Sequence, residues 1–143
     1  MTQKRLIMER KVLEKHLIPS TIHFGDLETD KPYVKFAAKT NRGNIYTLYI
    51  DLSKFPEEVP EAYVTKLLYT KDGEPMSGCS SSMHTLSPSI NKKWTRICHY
   101  GYGSWTNNVS LYKVFIKCRL WLEMYELHLE TGKDIDYYLS HQI

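Results

Sequence analysis

The stretch from Ser110 to Gly132 constrains this chain most. Leu111, Val114, Phe115, Cys118, Trp121, Leu122, Tyr125 and Leu129 recur there at spacings of three and four, which draws one apolar stripe along a long helix. Ser110 is an N-cap residue, because its hydroxyl can accept from an otherwise orphaned N–H of the first turn. Gly132 ends the helix as a left-handed cap. A stripe of that length has to be buried against a second layer, and the upstream sequence supplies one.

From Thr21 to Tyr69 the period falls to two. Thr21-Ile22-His23-Phe24, Tyr33-Val34-Lys35-Phe36 and Ile45 to Ile50 are separated by turn residues such as Gly25-Asp26 and Asn41-Arg42-Gly43, as in three strands of an antiparallel meander. Phe55-Pro56-Glu57-Glu58-Val59-Pro60 cannot continue a central strand, since its two prolines withhold ladder donors. Ala62 to Tyr69 predicts a fourth strand. Ahead of the meander, Thr2 to Leu17 sets Leu6, Ile7, Leu13 and Leu17 on one helical stripe, with Lys4, Arg5, Arg10, Lys11 and Lys15 over most of the remaining surface. Pro19 stops that helix. After Gly132, Asp134 caps a short last helix holding Ile135, Tyr137, Tyr138 and Leu139. Helix, four strands, long loop, helix, helix is the order of an α+β domain spanning residues 1–143.

Between Lys71 and Asn108 no period is sustained. Loops longer than about 12–15 residues inside compact domains are usually functional or disordered. Here Trp94, Ile97, Tyr100, Tyr102 and Trp105 supply burial material, so a packed functional loop is expected. Its sharpest chemical feature is Cys98, which sits between Arg96 and His99 and just before Gly101 and Gly103. A thiol becomes a nucleophile when its thiolate is populated, and Arg96 and His99 are neighbouring sources of positive charge. The competing assignment is a structural cysteine, since free cysteine is among the most buried residue types. Cys118 lies on the apolar stripe and reads as core; Cys79 stays ambiguous. A thiol protease with His84 or His99 as base is a further option, but neither a base nor an orienting group can be placed from spacing alone.

Other classes are excluded more simply. Three cysteines with no paired spacing suit neither a disulfide framework nor a zinc ribbon, and Cys79, His84, Cys98 and His99 lack the close pairs of a metal site, so no metal or cofactor is expected. A net charge of +3 comes from 19 basic residues interspersed among 16 acidic ones, which implies no nucleic-acid partner. No apolar run suggests a membrane span or a signal peptide. A reducing, cytoplasmic setting is the expectation.

Taken in order from about Lys4 to Tyr138, these features resemble the ubiquitin-conjugating (E2) superfamily. The anchors are the basic N-terminal helix, the meander, Phe55 to Pro60 in the manner of a Y-P-x-x-P-P turn, Ile97-Cys98 in the manner of an active-site I-C, and Trp105 followed by Ser110-Leu111. Trp121-Leu122 with Glu126, Leu129, Thr131 and Gly132 is similar to a W-L…T-G stretch of bacterial E2-like proteins from antiphage operons. Where eukaryotic relatives carry His-Pro-Asn, this chain has Ser87-Pro88-Ser89-Ile90-Asn91.

The resemblance implies a UBC-like fold and transfer of an activated protein C-terminus. Cys98 would take the cargo from an E1-like enzyme, hold it as a thioester and release it to a lysine amine on a target protein. The cargo would be a cGAS-like nucleotidyltransferase in a cyclic-oligonucleotide (CBASS) operon, or a ubiquitin-like protein in a Bil-type modification operon. Ser89, His84 or Asn91 would support the oxyanion or the loop, while His99, Tyr100, Tyr102 and Trp105 would wall the site. Lys4, Arg5, Arg10 and Lys11 would dock the E1-like partner. The alternative is a catalytically silent E2-variant scaffold.

Overall fold

In the computed structural model, which describes residues 1–101 and 103–140, helix α1 (Gln3–His16) leads through a single 3-10 turn (Pro19–Thr21) into strand β1 (Ile22–Gly25). Strands β2 (Tyr33–Lys39), β3 (Ile45–Asp51), β4 (Ala62–Val64), β5 (Thr85–Leu86) and β6 (Thr95–Ile97) follow, then helices α2 (Leu111–Thr131) and α3 (Ile135–Ser140). The α+β class and the helix positions agree with the sequence. The sheet does not: it has six strands in the order β1-β2-β3-β4-β6-β5, all antiparallel, rather than four.

The two additional strands lie inside the stretch expected to be irregular. With two and three residues each, they are too short for a period of two to register. The expected fourth strand is correspondingly shorter. It ladders with β3 only over Ala62–Val64, and Leu68 instead accepts from the N–H of Met76 across a tight turn in which Gly73 takes φ +86°. Thr95 fixes this departure: its buried hydroxyl donates to Lys66 O at 3.0 Å and accepts from Leu68 N at 2.9 Å.

One face of the sheet builds the core. Val34, Phe36 and Ala38 of β2, Tyr46, Leu48 and Ile50 of β3, and Ala62, Val64 and Ile97 join Val114, Phe115, Cys118, Trp121 and Leu122 of α2 in one contiguous apolar cluster. Phe36 and Phe115 bring their ring centres to 5.0 Å. Ser110 caps α2 by accepting from Lys113 N, and Gly132, at φ +79°, closes it. Among the described residues no helix is long and apolar enough to cross a membrane.

Carboxylates on α1 and α2 hold the surrounding pieces. Glu126 accepts from Asn44 Nδ2 at 2.7 Å and from Tyr46 Oη at 2.9 Å, and Glu123 accepts from Asn41 N at 2.9 Å, so the β2–β3 turn is clipped to α2. On α1 the buried positions are Glu9 and Leu13, whereas Ile7 is 53% exposed. That corrects the expected stripe, and the cause is polar: Glu9 accepts from Leu111 N at 2.7 Å, serving an orphan donor at the start of α2, and from Arg5 Nε at 2.7 Å. Arg5 then donates to the carbonyls of Asn107 at 2.6 Å and Val109 at 2.9 Å.

Replacing Glu9 with alanine leaves the Leu111 N–H and the Arg5 guanidinium short of a partner in a part-buried seam. A loss of about 1–3 kcal/mol is expected, read as a lower urea midpoint at unchanged slope. An unaltered midpoint would show that this seam contributes nothing.

Candidate active site

Cys98 stands one residue beyond β6. Its N–H donates to His84 O at 2.9 Å, which extends the β5–β6 ladder by one step. On the other side, β4 and β6 pair Ala62 with Ile97, so the same register sets Glu61 opposite Cys98 and Pro60 opposite His99. The ring of His99 completes that second pair, donating from Nε2 to Pro60 O at 2.8 Å. Side chains alternate across a strand, and Arg96 and Cys98 therefore share the face turned away from the core. Cys98, half-buried, lies in a groove of about 320 Å³ whose other walls include Pro60, Glu61, Leu86, Arg96 and Tyr100.

Of the four residues expected to wall the site, His99 and Tyr100 line the groove with Cys98, and Trp105 packs against Tyr100 outside that lining. Trp105 Nε1 donates to Pro56 O at 2.8 Å, and its ring lies 5.2 Å from Tyr100 and 6.1 Å from Phe55, both edge-on. His99 meets Tyr100 edge-on at 5.4 Å, with Lys117 Nζ over the Tyr100 ring at 5.2 Å. The proline-rich element and the segment after Cys98 are thus stapled together by Trp105 and His99. Tyr102 lies outside the described residues.

Each of the three proposed supporting side chains is engaged away from the thiol. Ser89 Oγ donates to Glu61 Oε1 at 2.6 Å. Asn91 shapes a turn, its Oδ1 accepting from Lys93 N at 2.9 Å. His84 takes a left-handed backbone, φ +50°, and turns its ring to Asp136 Oδ1 at 2.7 Å, so its carbonyl rather than its imidazole meets Cys98. Among the residues expected to dock a partner, Lys4 and Lys11 are exposed, the exposed Arg10 lies over the Phe24 ring at 4.5 Å, and Arg5 is folded into the α1–α2 seam.

Sequence reasoning missed Glu61 and Tyr63. Tyr63 Oη donates to Glu61 Oε1 and accepts from Ser89 N at 3.1 Å, and Arg96 lies 3.6 Å from the same carboxylate oxygen. Burial alone would raise the Glu61 carboxyl, but the hydrogen bonds from Ser89 and Tyr63 and the charge of Arg96 bring it below its ordinary value, so it is anionic at neutral pH. Alternation along the expected fourth strand marked Tyr63 alone, because Glu61 precedes the Ala62 at which that strand was expected to begin.

The groove's electrostatics divide its candidates. Burial pushes the Cys98 thiol above its ordinary value; nearby Cys79 adds to this and Arg96 opposes it. Burial, with smaller contributions from Arg96 and Lys117, brings His99 down to about 4 against the Pro60 hydrogen bond, so its imidazole is neutral at physiological pH and offers the thiol no charge. Cys118 is fully buried in the core, which raises its thiol strongly, and Cys79 is exposed. No group of three or more potential ligands comes together to hold a metal among the described residues.

Iodoacetamide mapping should therefore modify Cys79 first, Cys98 more slowly with a titration midpoint above the about 8.5 of a free thiol, and Cys118 only after unfolding. Native-state labelling of Cys118, or a Cys98 midpoint below that of a free thiol, would contradict this geometry. No family profile, curated protein or solved structure matches the chain.

Proposed function

We propose that this chain is an E2-like conjugating enzyme with a UBC-like fold, carrying an activated protein C-terminus as a thioester on Cys98 and passing it to a lysine amine. The observation that carries this reading is the seat of Cys98: a half-buried thiol one residue past a strand, its N–H fixed by His84 O, in a groove lined by Val59 and Pro60 of the proline-rich element and by His99 and Tyr100. The order of proline-rich element, cysteine and aromatic wall is the one the E2 resemblance implies, and here the three meet in space.

The chemistry is two acyl transfers. Cys98 Sγ attacks the thioester carbonyl presented by an E1-like partner; one C–S bond forms, the other breaks, and the thiol proton passes to the departing sulfur. An amine nitrogen then attacks the same carbonyl, the C–S bond to Cys98 breaks, and an amide remains once the nitrogen has lost a proton to solvent. An unperturbed lysine, with a pKa of about 10.4, is mostly charged at neutral pH, so partial burial of the amine beside Cys98, which disfavours its charged form, assists this step. The raised Cys98 thiol suits a carrier, because a more basic thiolate is a poorer leaving group and the thioester waits for its amine.

A reducing, cytoplasmic antiphage setting fits a free-thiol carrier. Its cargo is a cGAS-like nucleotidyltransferase or a ubiquitin-like protein, delivered by an E1-like enzyme that docks on the α1 side, where Lys4, Arg10 and Lys11 stand free of the core. Co-expression with the cargo and the E1-like enzyme should give an adduct on non-reducing gels that dithiothreitol removes. Cys98→Ala abolishes it and Cys118→Ala retains it. An adduct that persists in Cys98→Ala overturns the assignment; none with either cargo leaves the chain a silent E2-variant scaffold.

A further inference from the structure

We propose that Arg96 is the group that stabilises the negative charge built up at Cys98 during acyl transfer, with its Nε–H as the donor to the oxyanion. The inference rests on Cys98 being the acyl-carrying nucleophile.

Three observations lead to it. Arg96 and Cys98 are two residues apart on one extended segment, so their side chains leave the same face, and both line the groove. Among the described residues the guanidinium is anchored through Nη1, which donates to Ser87 O at 3.1 Å and lies 3.6 Å from Glu61 Oε1, a carboxylate itself held by Ser89 and Tyr63. Among the same residues its Nε is buried just beneath the surface with no hydrogen-bond partner, and it meets an acyl oxygen on Cys98 once the side chain turns toward the groove. A buried guanidinium donor left unmatched is costly, and proteins keep such a group where something else supplies the acceptor. In this groove the fitting acceptor is the carbonyl oxygen of an acyl group joined to Cys98, which gains a full negative charge when attacked.

Tyr100 Oη, also buried without a partner among the described residues and on the same groove, is a neutral donor and brings no charge to an oxyanion, and the other groups fall away on chemistry. His99 is neutral and spends its N–H on Pro60 O, Ser89 Oγ donates to Glu61, and the His84 ring is turned to Asp136. Arginine stays protonated throughout, so the donor keeps its charge through both transfers. The balance is simple: attack places the electron pair on the carbonyl oxygen, Arg96 holds it there, and its return expels the leaving thiolate. Glu61, Ser89 and Tyr63 act through Arg96 and are positioning residues.

The test needs no cargo. In a Cys79→Ser background, the pure protein is treated with the acetyl thioester of N-acetylcysteamine, and acetylation of Cys98 is followed by intact mass; iodoacetamide rates against pH give the thiol titration in parallel. Arg96→Gln should raise the Cys98 midpoint and slow acetylation, at equal thiolate fraction, about 10²- to 10³-fold. Arg96→Lys, which keeps the charge but has no Nε–H, should restore the midpoint and not the acetylation rate. Equal thiolate-corrected rates in the wild type and either variant would overturn the proposal. So would a cargo adduct that forms and discharges at the wild-type rate in Arg96→Gln, an outcome that leaves Cys98 as carrier intact. Arg96-dependent acetylation of Cys98 without any cargo adduct would instead support Arg96 and remove the conjugating function.

Discussion

The carbonyl oxygen of His84 receives two donors, the N–H of Cys98 at 2.9 Å and Nε1 of Trp121 at 3.1 Å. Trp121 is 1% exposed and sits in the middle of α2, so one acceptor joins the buried core to the backbone of Cys98. The left-handed backbone at His84 turns that carbonyl to face both donors. Asp136 reinforces the arrangement twice, its N–H donating to Ser82 O and its carboxylate meeting the His84 ring. The site therefore inherits its rigidity from the long helix, and its backbone cannot drift without loosening buried contacts.

Around that junction, apolar burial gives the sheet and α2 their adhesion, while carboxylates decide which peripheral piece goes where. Glu9 joins α1 to the start of α2, and Glu123 and Glu126 hold the β2–β3 turn against its middle. Glu61 does the same for the active groove, collecting Ser89, Tyr63 and Arg96 on one oxygen atom. In each case the buried charge has several donors, without which burying it would cost more than the contact returns. The groove thereby joins the Glu61–Arg96 network to the rings of His99 and Tyr100.

The long periodic elements were legible in the sequence because their signal is repeated many times. Eight positions define α2 and its caps fall at Ser110 and Gly132; the meander shows the same redundancy. Strands β5 and β6 were hidden because two or three residues hold less than two full periods, and their pairing is fixed by tertiary contacts such as those of Thr95. Cys98 stood out by its neighbours, and His99 and Tyr100 line its groove, with Trp105 packed against Tyr100. Glu9 on a buried helix face and Glu61 beside the cysteine were invisible for one reason: a carboxylate reads as solvent-facing until its donors, 102 and 28 residues away in sequence for Leu111 and Ser89, are brought to it. For the same reason Ser89 and His84 could be nominated from their order, whereas their hydrogen bonds to Glu61 and Asp136 required the fold; that of Asn91 with Lys93 is a local turn.

The most direct measurement is peptide mapping of the cargo adduct formed by the wild-type chain, isolated at low pH to preserve thioesters and split into two portions, one treated with hydroxylamine. The cargo's C-terminal residue should be found joined to the peptide containing Cys98 and be released by hydroxylamine at neutral pH. A hydroxylamine-stable junction, or one on a peptide containing Cys79, Cys118 or a lysine in place of Cys98, would contradict a thioester carrier built on this groove.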